Sequence, residues 1–143
     1  MEQFSGQLTI PTHGPGLTDV TRPIAAWIAA QSVRTGLLTV FCRHTSSSLL
    51  INENAAGAVR RDLERYFAAI APEDPHRYEH DEEGPDDMPA HLRTAMTNVS
   101  LSIPVSDGQM TLGTWQGVFL FEHRSAPHRR TLALHLFGER EAG

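Results

Sequence analysis

From Val99 onward the chain alternates apolar and polar residues in runs too short for helices, and this pattern constrains the fold more than any other feature. Val99-Ser100-Leu101-Ser102-Ile103 alternates residue by residue, Pro104 closes the run, and Ser106-Asp107-Gly108-Gln109 predicts a hairpin turn. Met110 to Phe121 reads as a second strand, carrying Gly113-Thr114-Trp115-Gln116-Gly117 before the apolar Val118-Phe119-Leu120-Phe121. Glu122-His123-Arg124 ends it with charge, Ser125-Ala126-Pro127-His128 turns the chain, and Arg129 to Phe137 alternates as a last strand. Short turns between such runs make the strands antiparallel.

The first half adds helices to this framework. Phe4 to Ile10 predicts a strand, stopped by Pro11-Thr12-His13-Gly14-Pro15-Gly16. Thr18 and Asp19 offer a helix start, Pro23 fits the first turn, Ile24, Trp27 and Ile28 share one face, and Gly36 supplies a stop. Leu37 to Phe41 predicts a buried strand containing the approach to Cys42, which reads as a small core residue. The hydroxyl run Thr45-Ser46-Ser47-Ser48 interrupts the apolar pattern before Leu49-Leu50-Ile51, as a local bulge or the wall of a polar pocket. Asn52-Glu53-Asn54 predicts the cap of a second helix, whose stripe is Val59, Leu63, Phe67 and Ile70, with Pro72 as its stop. A short third helix runs from Met88 to about Asn98, capped by Asp86 or Asp87. The expectation is one α+β domain over residues 1–143, a curled antiparallel sheet or β-sandwich with two main helices and one short one.

Composition sets limits on function. The net charge of −5 and the lack of a basic block argue against a general nucleic-acid binder. No apolar stretch approaches a bilayer span, and no signal peptide is visible at Met1 to Gly6, so the expected location is the cytoplasm. One cysteine excludes an internal disulfide and a cysteine-based zinc cluster.

Against this background Tyr78 to His91 stands out. It gathers histidines and carboxylates around a Gly-Pro break with no hydrophobic periodicity, so core stability does not explain it. Imidazole and carboxylate in one loop point to metal binding or acid–base chemistry, against the plainer reading of a solvated acidic loop. Three other clusters sit where strands meet turns or helices: His44-Thr45-Ser46-Ser47, Asn52-Glu53, and Gly113-Thr114-Trp115-Gln116 with Glu122-His123-Arg124. His13 and His76 read as turn and loop residues, and His135 as a structural histidine on the last strand.

In order along nearly the whole chain, Arg43 to Leu49, Asn52-Glu53, Tyr78 to His91, Leu112 to Gly117 and Glu122-His123-Arg124 closely resemble the YjbQ-like family, long catalogued as uncharacterised and often labelled secondary thiamine-phosphate synthase. The resemblance implies a β-rich homotrimer that joins hydroxymethylpyrimidine diphosphate to thiazole phosphate and releases pyrophosphate. It carries over His44-Thr45-Ser46, Asn52-Glu53, His80, His91 and Trp115-Gln116 as motif residues. On that basis His44, His80 and His91 are the candidate ligands of a divalent ion, zinc or magnesium, with Glu83, Asp86 or Asp87 completing the shell. His44, Glu53, His91 and His123 are the candidate catalytic groups. Thr45, Ser46, Ser47, Asn52, Asp87, Gly113, Trp115, Gln116 and Arg124 are the expected substrate contacts, Arg124 and the serines for phosphate oxygens and Trp115 for stacking on a heterocycle. Glu53 as a helix-start acid, Trp115 as a core residue, Ser46 as a nucleophile beside His44, and His123-Arg124 as partners of carboxylates across a subunit boundary are the competing roles. A metabolite- or metal-binding trimer without catalysis, or a metal-dependent hydrolase of a small phosphorylated or acyl substrate, fits the same residues.

Overall fold

A computed structural model describes residues 1–140. In chain order the elements are β1 (Glu2–Thr12), β2 (Gly16–Asp19), α1 (Thr21–Gln31), β3 (Val33–Cys42), β4 (Ser47–Glu53), α2 (Gly57–Ile70), α3 (Asp87–Met96), β5 (Ser100–Ser106), β6 (Gln109–Met110), β7 (Gln116–Glu122) and β8 (His128–Arg140). They form the expected α+β arrangement as two curled antiparallel sheets, β1-β8-β3-β5-β6 and β2-β7-β4. No helix among the described residues is long and apolar enough to cross a membrane.

The core follows from strand periodicity. In β8, Leu132, Leu134 and Leu136 point inward and lie opposite Cys42, Val40 and Leu38 of β3. Leu49, Val118 and Leu120 of the smaller sheet face them, and Ile24 and Ile28 of α1 join the same cluster. The small sheet is covered on its other face too, where Leu17, Phe119 and Phe121 pack against Leu63 and Phe67 of α2. Coverage on both faces explains why Val118 to Phe121 is apolar without alternation. Gly6 lets the Trp27 indole lie directly on β1, in the space a Cβ would fill.

Several boundaries differ from the sequence expectation, each for a local reason. Pro104 does not close β5: its carbonyl accepts from Thr111 N–H on the β6 side, where the partner strand is two residues long and little pairing is lost to the missing N–H. The hairpin turn is as expected, with positive φ at both Asp107 and Gly108. Helix α1 stops at left-handed Ser32, not Gly36, which lies in β3. Thr18 and Asp19 end β2, and the Asp19 carboxylate accepts from Thr21 N–H at 2.8 Å as the helix begins. Asn52 and Glu53 finish β4 instead of capping α2, which starts at Gly57 without a side-chain cap. Met110 to Phe121 is broken into β6 and β7, leaving Trp115 in the connection and 64% exposed, not in the core.

Where the two sheets meet, the inward phase of β7 and β8 ends in charge. Glu122 follows Val118 and Leu120, and Arg130 precedes Leu132; both are buried. Arg130 grips both Glu122 carboxylate oxygens, and its Nη2 also donates to the Ser46 carbonyl and Oγ. Glu122 further accepts from Thr12 Oγ1 on β1 and from the backbone N–H groups of His123 and Arg124. Burial pushes the Glu122 carboxyl up, but these donors outweigh it and hold the group ionised, below its ordinary range. Removing one charge of a satisfied buried pair costs about 3–5 kcal/mol. Glu122→Gln is therefore expected to lose stability in that range by urea unfolding, whereas Glu122→Leu combined with Arg130→Met recovers much of it.

Candidate functional site

Helix α3 builds the site by spacing. Asp87 and His91 are one turn apart and share a face, and the preceding loop brings His80 onto the same carboxylate. Asp87 Oδ2 lies 2.8 Å from His80 Nε2 and 3.0 Å from His91 Nε2. Glu83 Oε2 stands 3.3 Å from His80 Nε2. One ligand atom from each of His80, Glu83, Asp87 and His91 falls within 4.8 Å of the others. Asp87 is 2% exposed at the base of the group, with the other three closer to solvent.

The histidine tautomer decides what this cluster can do. His91 Nδ1 lies 2.9 Å from the Thr45 carbonyl, which only accepts, so Nδ1 carries the proton. In the neutral ring Nε2 then presents a lone pair to the Asp87 carboxylate. Two acceptors at 3.0 Å need a second proton on His91 or a cation between them. A backbone carbonyl fixing one imidazole nitrogen while the other faces a ligand position is the usual support of a metal-binding histidine.

A layer behind the ligands holds the carboxylates in place. Arg124 Nη1 donates to Asp87 Oδ1 at 2.6 Å, Nε to Asp86 Oδ2 at 3.0 Å, and Nη2 to the Glu83 carbonyl at 2.9 Å. Ser125 N–H also donates to Asp86. Burial pushes the carboxyls of Asp86 and Asp87 up, yet their partners bring both below their ordinary range, Ser125 N–H and Arg124 for Asp86, and the His80 hydrogen bond with the nearby Arg124 charge for Asp87. The hydrogen bond to Asp87 in turn raises His80. Asp86 occupies the N-cap position of α3 but makes no side-chain cap, and Asp87 points into the cluster, so the capping role expected for them gives way to Arg124 and the histidines.

The other sequence candidates divide. Thr45 orients His91 through its carbonyl. His44 stands outside the four-residue group: its Nε2 accepts from Thr131 N–H at 2.8 Å, so that lone pair is not available to an ion. Burial first, then the Arg130 charge, lowers its pKa and favours a neutral ring with the proton on Nδ1. Ser46 and Ser47 are buried, Ser46 against Arg130 and Ser47 against Cys42 Sγ, instead of facing a substrate. His123 is 1% exposed, packs on Phe121, and meets Ser48 Oγ at 2.9 Å, which in turn bonds Thr97. Burial, reinforced by Arg93 nearby, pushes His123 down to about 3. Arg124 is engaged by Asp86, Asp87 and the Glu83 carbonyl of its own chain.

Asn52, Glu53, Gly113, Trp115 and Gln116 gather at the far end of the β4–β7 ladder, where Glu53 pairs with Gln116, while Ser47 pairs with Glu122 at the end nearer the histidines. Six residue steps of extended chain separate the ends, about 20 Å. There Gln116 Oε1 accepts from Gly113 N–H, Trp115 is exposed, and Glu53 Oε2 is buried without a partner. Within one chain these residues do not meet the histidine cluster. A cavity of about 760 Å³ does adjoin it, lined by Phe41, Arg43, His44, Thr45, His91 and Thr97 among others. Arg93, which no sequence motif singled out, is buried beside His123.

Curled antiparallel sheets with three helices, bearing an imidazole–carboxylate cluster at the start of α3, define a class of small α+β proteins. The chain belongs to the YjbQ-like UPF0047 family, whose family model matches residues 6–139. It is 52% identical over 132 residues to the UPF0047 protein of Synechocystis, covering 92% of this chain and 90% of that one. It is 42% identical over 137 residues to UPF0047 protein YjbQ of Escherichia coli O157:H7, covering 95% and 99%. A hypothetical protein from Aeropyrum pernix K1 superposes with a TM-score of 0.86 at 30% identity, over 97% of this chain and all of that one, with 100% coverage.

His123 gives the site a testable pH signature. Below about pH 6.5 the unfolded chain protonates this histidine, while the folded protein refuses the proton until about 3. Its contribution to stability therefore falls as pH drops through this window, by up to about 1.4 kcal/mol per pH unit. Urea unfolding from pH 6.5 down to 4.5 is expected to be flatter for His123→Gln than for the unsubstituted protein; parallel curves would assign the acid sensitivity elsewhere.

Proposed function

We propose that the chain is a divalent-metal enzyme acting on a small phosphorylated heterocycle, with His80, Asp87 and His91 as ligands and Glu83 beside them. The observation that carries this reading is the Thr45 carbonyl on His91 Nδ1, which in the neutral ring leaves Nε2 as an acceptor aimed at another acceptor. Two imidazoles with carboxylates suit zinc or a similar first-row ion and suit magnesium, which prefers an all-oxygen octahedral shell, much less. When bound, such an ion would supply positive charge against the oxygens of a leaving diphosphate.

The chain's own residues account for the rest. Arg124 holds Asp86, Asp87 and the Glu83 backbone in place, and so acts through the ligands without touching substrate. The adjoining cavity offers Arg43 for phosphate oxygens, and His44, held by Thr131, offers Nδ1–H as a fixed donor. The specific reaction we assign is the thiamine-phosphate synthase type. The carbon–oxygen bond to the diphosphate breaks with its electron pair leaving on pyrophosphate, and the thiazole nitrogen donates its lone pair to form the new carbon–nitrogen bond.

We further propose that the active form is a homotrimer. Leu37, Phe41 and Phe137 are each more than 40% exposed on the outer face of the five-stranded sheet, where Leu37 and Phe137 are direct cross-strand neighbours. An apolar patch of this kind favours association. Assembly would also let Asn52, Glu53 and Trp115 of one subunit reach the histidine cluster of the next, which the roughly 20 Å between the ladder ends prevents within a chain.

The test pairs zinc titration calorimetry with a thiochrome fluorescence assay on hydroxymethylpyrimidine diphosphate and thiazole phosphate, with light scattering to report the assembly. The expected result is one zinc per chain, product formation dependent on it, and loss of both in His91→Ala with the trimer retained. Zinc binding without turnover above the His91→Ala control would leave a metal-binding trimer, while zinc-dependent release of inorganic phosphate instead of thiamine phosphate would mark a hydrolase. Zinc binding equal in the two proteins would remove the site altogether.

A further inference from the structure

A second polar feature lies behind α3 and takes no part in the histidine cluster. Arg93 is 9% exposed, and its Nη2 donates to the Ala71 carbonyl at 2.7 Å. Its Nε is buried without any partner. Among the described residues no carboxylate comes within ion-pair distance of this guanidinium. A buried charge without a paired counter-ion is among the costliest arrangements a fold can carry, and it is offset here by the Ala71 carbonyl at the C-cap of α2 and by the more distant carboxylates of Glu73 and Asp86. Two titratable rings lie near it, Tyr78 and His123, and His123 is held neutral first by burial and then by Arg93.

The guanidinium faces a cavity of about 680 Å³ between α2 and the small sheet. Arg61 and Arg65, the latter paired with Asp62 at 2.8 Å, stand on its rim, and Phe67, Phe121 and Pro72 give it an apolar wall. Two carboxylates also line it. Glu64 is engaged by Leu17 N–H at 3.0 Å, and Glu73 lies near enough to favour the Arg93 charge without pairing with it. A buried guanidinium with no directly paired carboxylate, lining a cavity with cationic side chains at its mouth and aromatic rings along its side, is suited to one kind of ligand.

We propose that this cavity binds a small organic anion, a ring-bearing carboxylate or phosphate ester, whose charged group sits against Arg93 and whose ring lies along Phe67 and Phe121. The site is separate from the histidine cluster and does not rest on the metal reading. Arg61 and Arg65 draw the anion in, and Arg93 holds it through the guanidinium hydrogens that the Ala71 carbonyl leaves free, where water competes least. Arg61 and Arg65 therefore govern the salt dependence of binding, and Arg93 its strength.

The experiment is a titration of the full chain, in EDTA, with phenyl phosphate, benzoate and the uncharged benzyl alcohol, followed by ¹H–¹⁵N NMR. Both anions are expected to give saturable shifts at Phe67, Ala68, Phe121 and the Arg93 side chain, with affinity at least about tenfold above benzyl alcohol, as a charge-assisted contact provides. The tighter anion sets the ligand class. Arg93→Gln is expected to remove that preference; because a buried substitution can disturb folding, the exposed pair Arg61→Ala with Arg65→Ala serves as a second variant, weakening binding and flattening its salt dependence. The proposal is overturned if no saturable shift occurs in the millimolar range, or if shifts fall on His80 to His91. It is equally overturned if benzyl alcohol binds as well as the anions, or if neither variant changes affinity.

Discussion

The buried pair of Glu122 and Arg130 is the contact on which the rest of the structure depends. It joins β7 of the small sheet to β8 of the large one, draws in β1 through Thr12, and fixes the turn before β4 through Ser46. Desolvating both charges is expensive, and it is tolerated because the lone pairs and N–H groups that the pair exposes find partners. Its reach extends to the site. The same carboxylate that holds Arg130 accepts from the backbone of His123 and Arg124, which sets the direction in which Arg124 leaves the strand. From there Arg124 reaches Asp86 and Asp87, and Asp87 meets both histidines. Core, supporting layer and candidate ligands thus form one connected chain of charge.

This connection separates roles that look alike in sequence. Histidines 44, 80, 91 and 123 all sit in motif-like surroundings. Thr131 N–H engages His44, and burial beside Arg93 silences His123. Only His80 and His91 point nitrogen atoms at a shared carboxylate. The serines after His44 divide in the same way, serving Arg130, Cys42 and His123 inside the protein. A hydroxyl-rich stretch between strands reads as a phosphate cradle until its burial is known.

Much of the fold was legible because alternation reports which face of a strand is covered. The alternating runs in β5 and β8, the Asp107-Gly108 turn and the Leu63–Phe67 part of the α2 stripe follow from local periodicity, while Ile70 at its end is exposed. Boundaries were less legible where the outcome depends on a neighbour: Pro104 stays in β5 because little pairs with its N–H side, and Asn52 and Glu53 stay in β4 because β7 pairs with them. A usable signal for the central pair was present as well. Glu122 and Arg130 occupy the inward phase of their strands, in step with Leu120 and Leu132, and charges in that phase call for each other. The proximity of His80 and His91 was readable from one loop and one helix turn. The separation of Trp115 from them was not, since it depends on which end of the β4–β7 ladder each motif occupies.

The central claim is that Asp87 and the two histidines around it form a cation site prepared by Arg124 and Thr45. The most direct measurement is an anomalous difference map at the zinc absorption edge from crystals grown with zinc. The account predicts a peak within bonding distance of His80 Nε2, His91 Nε2 and Asp87 Oδ2, with His91 Nδ1 still on the Thr45 carbonyl. No peak there, together with His91 Nε2 protonated against Asp87 in the same crystals, would contradict it.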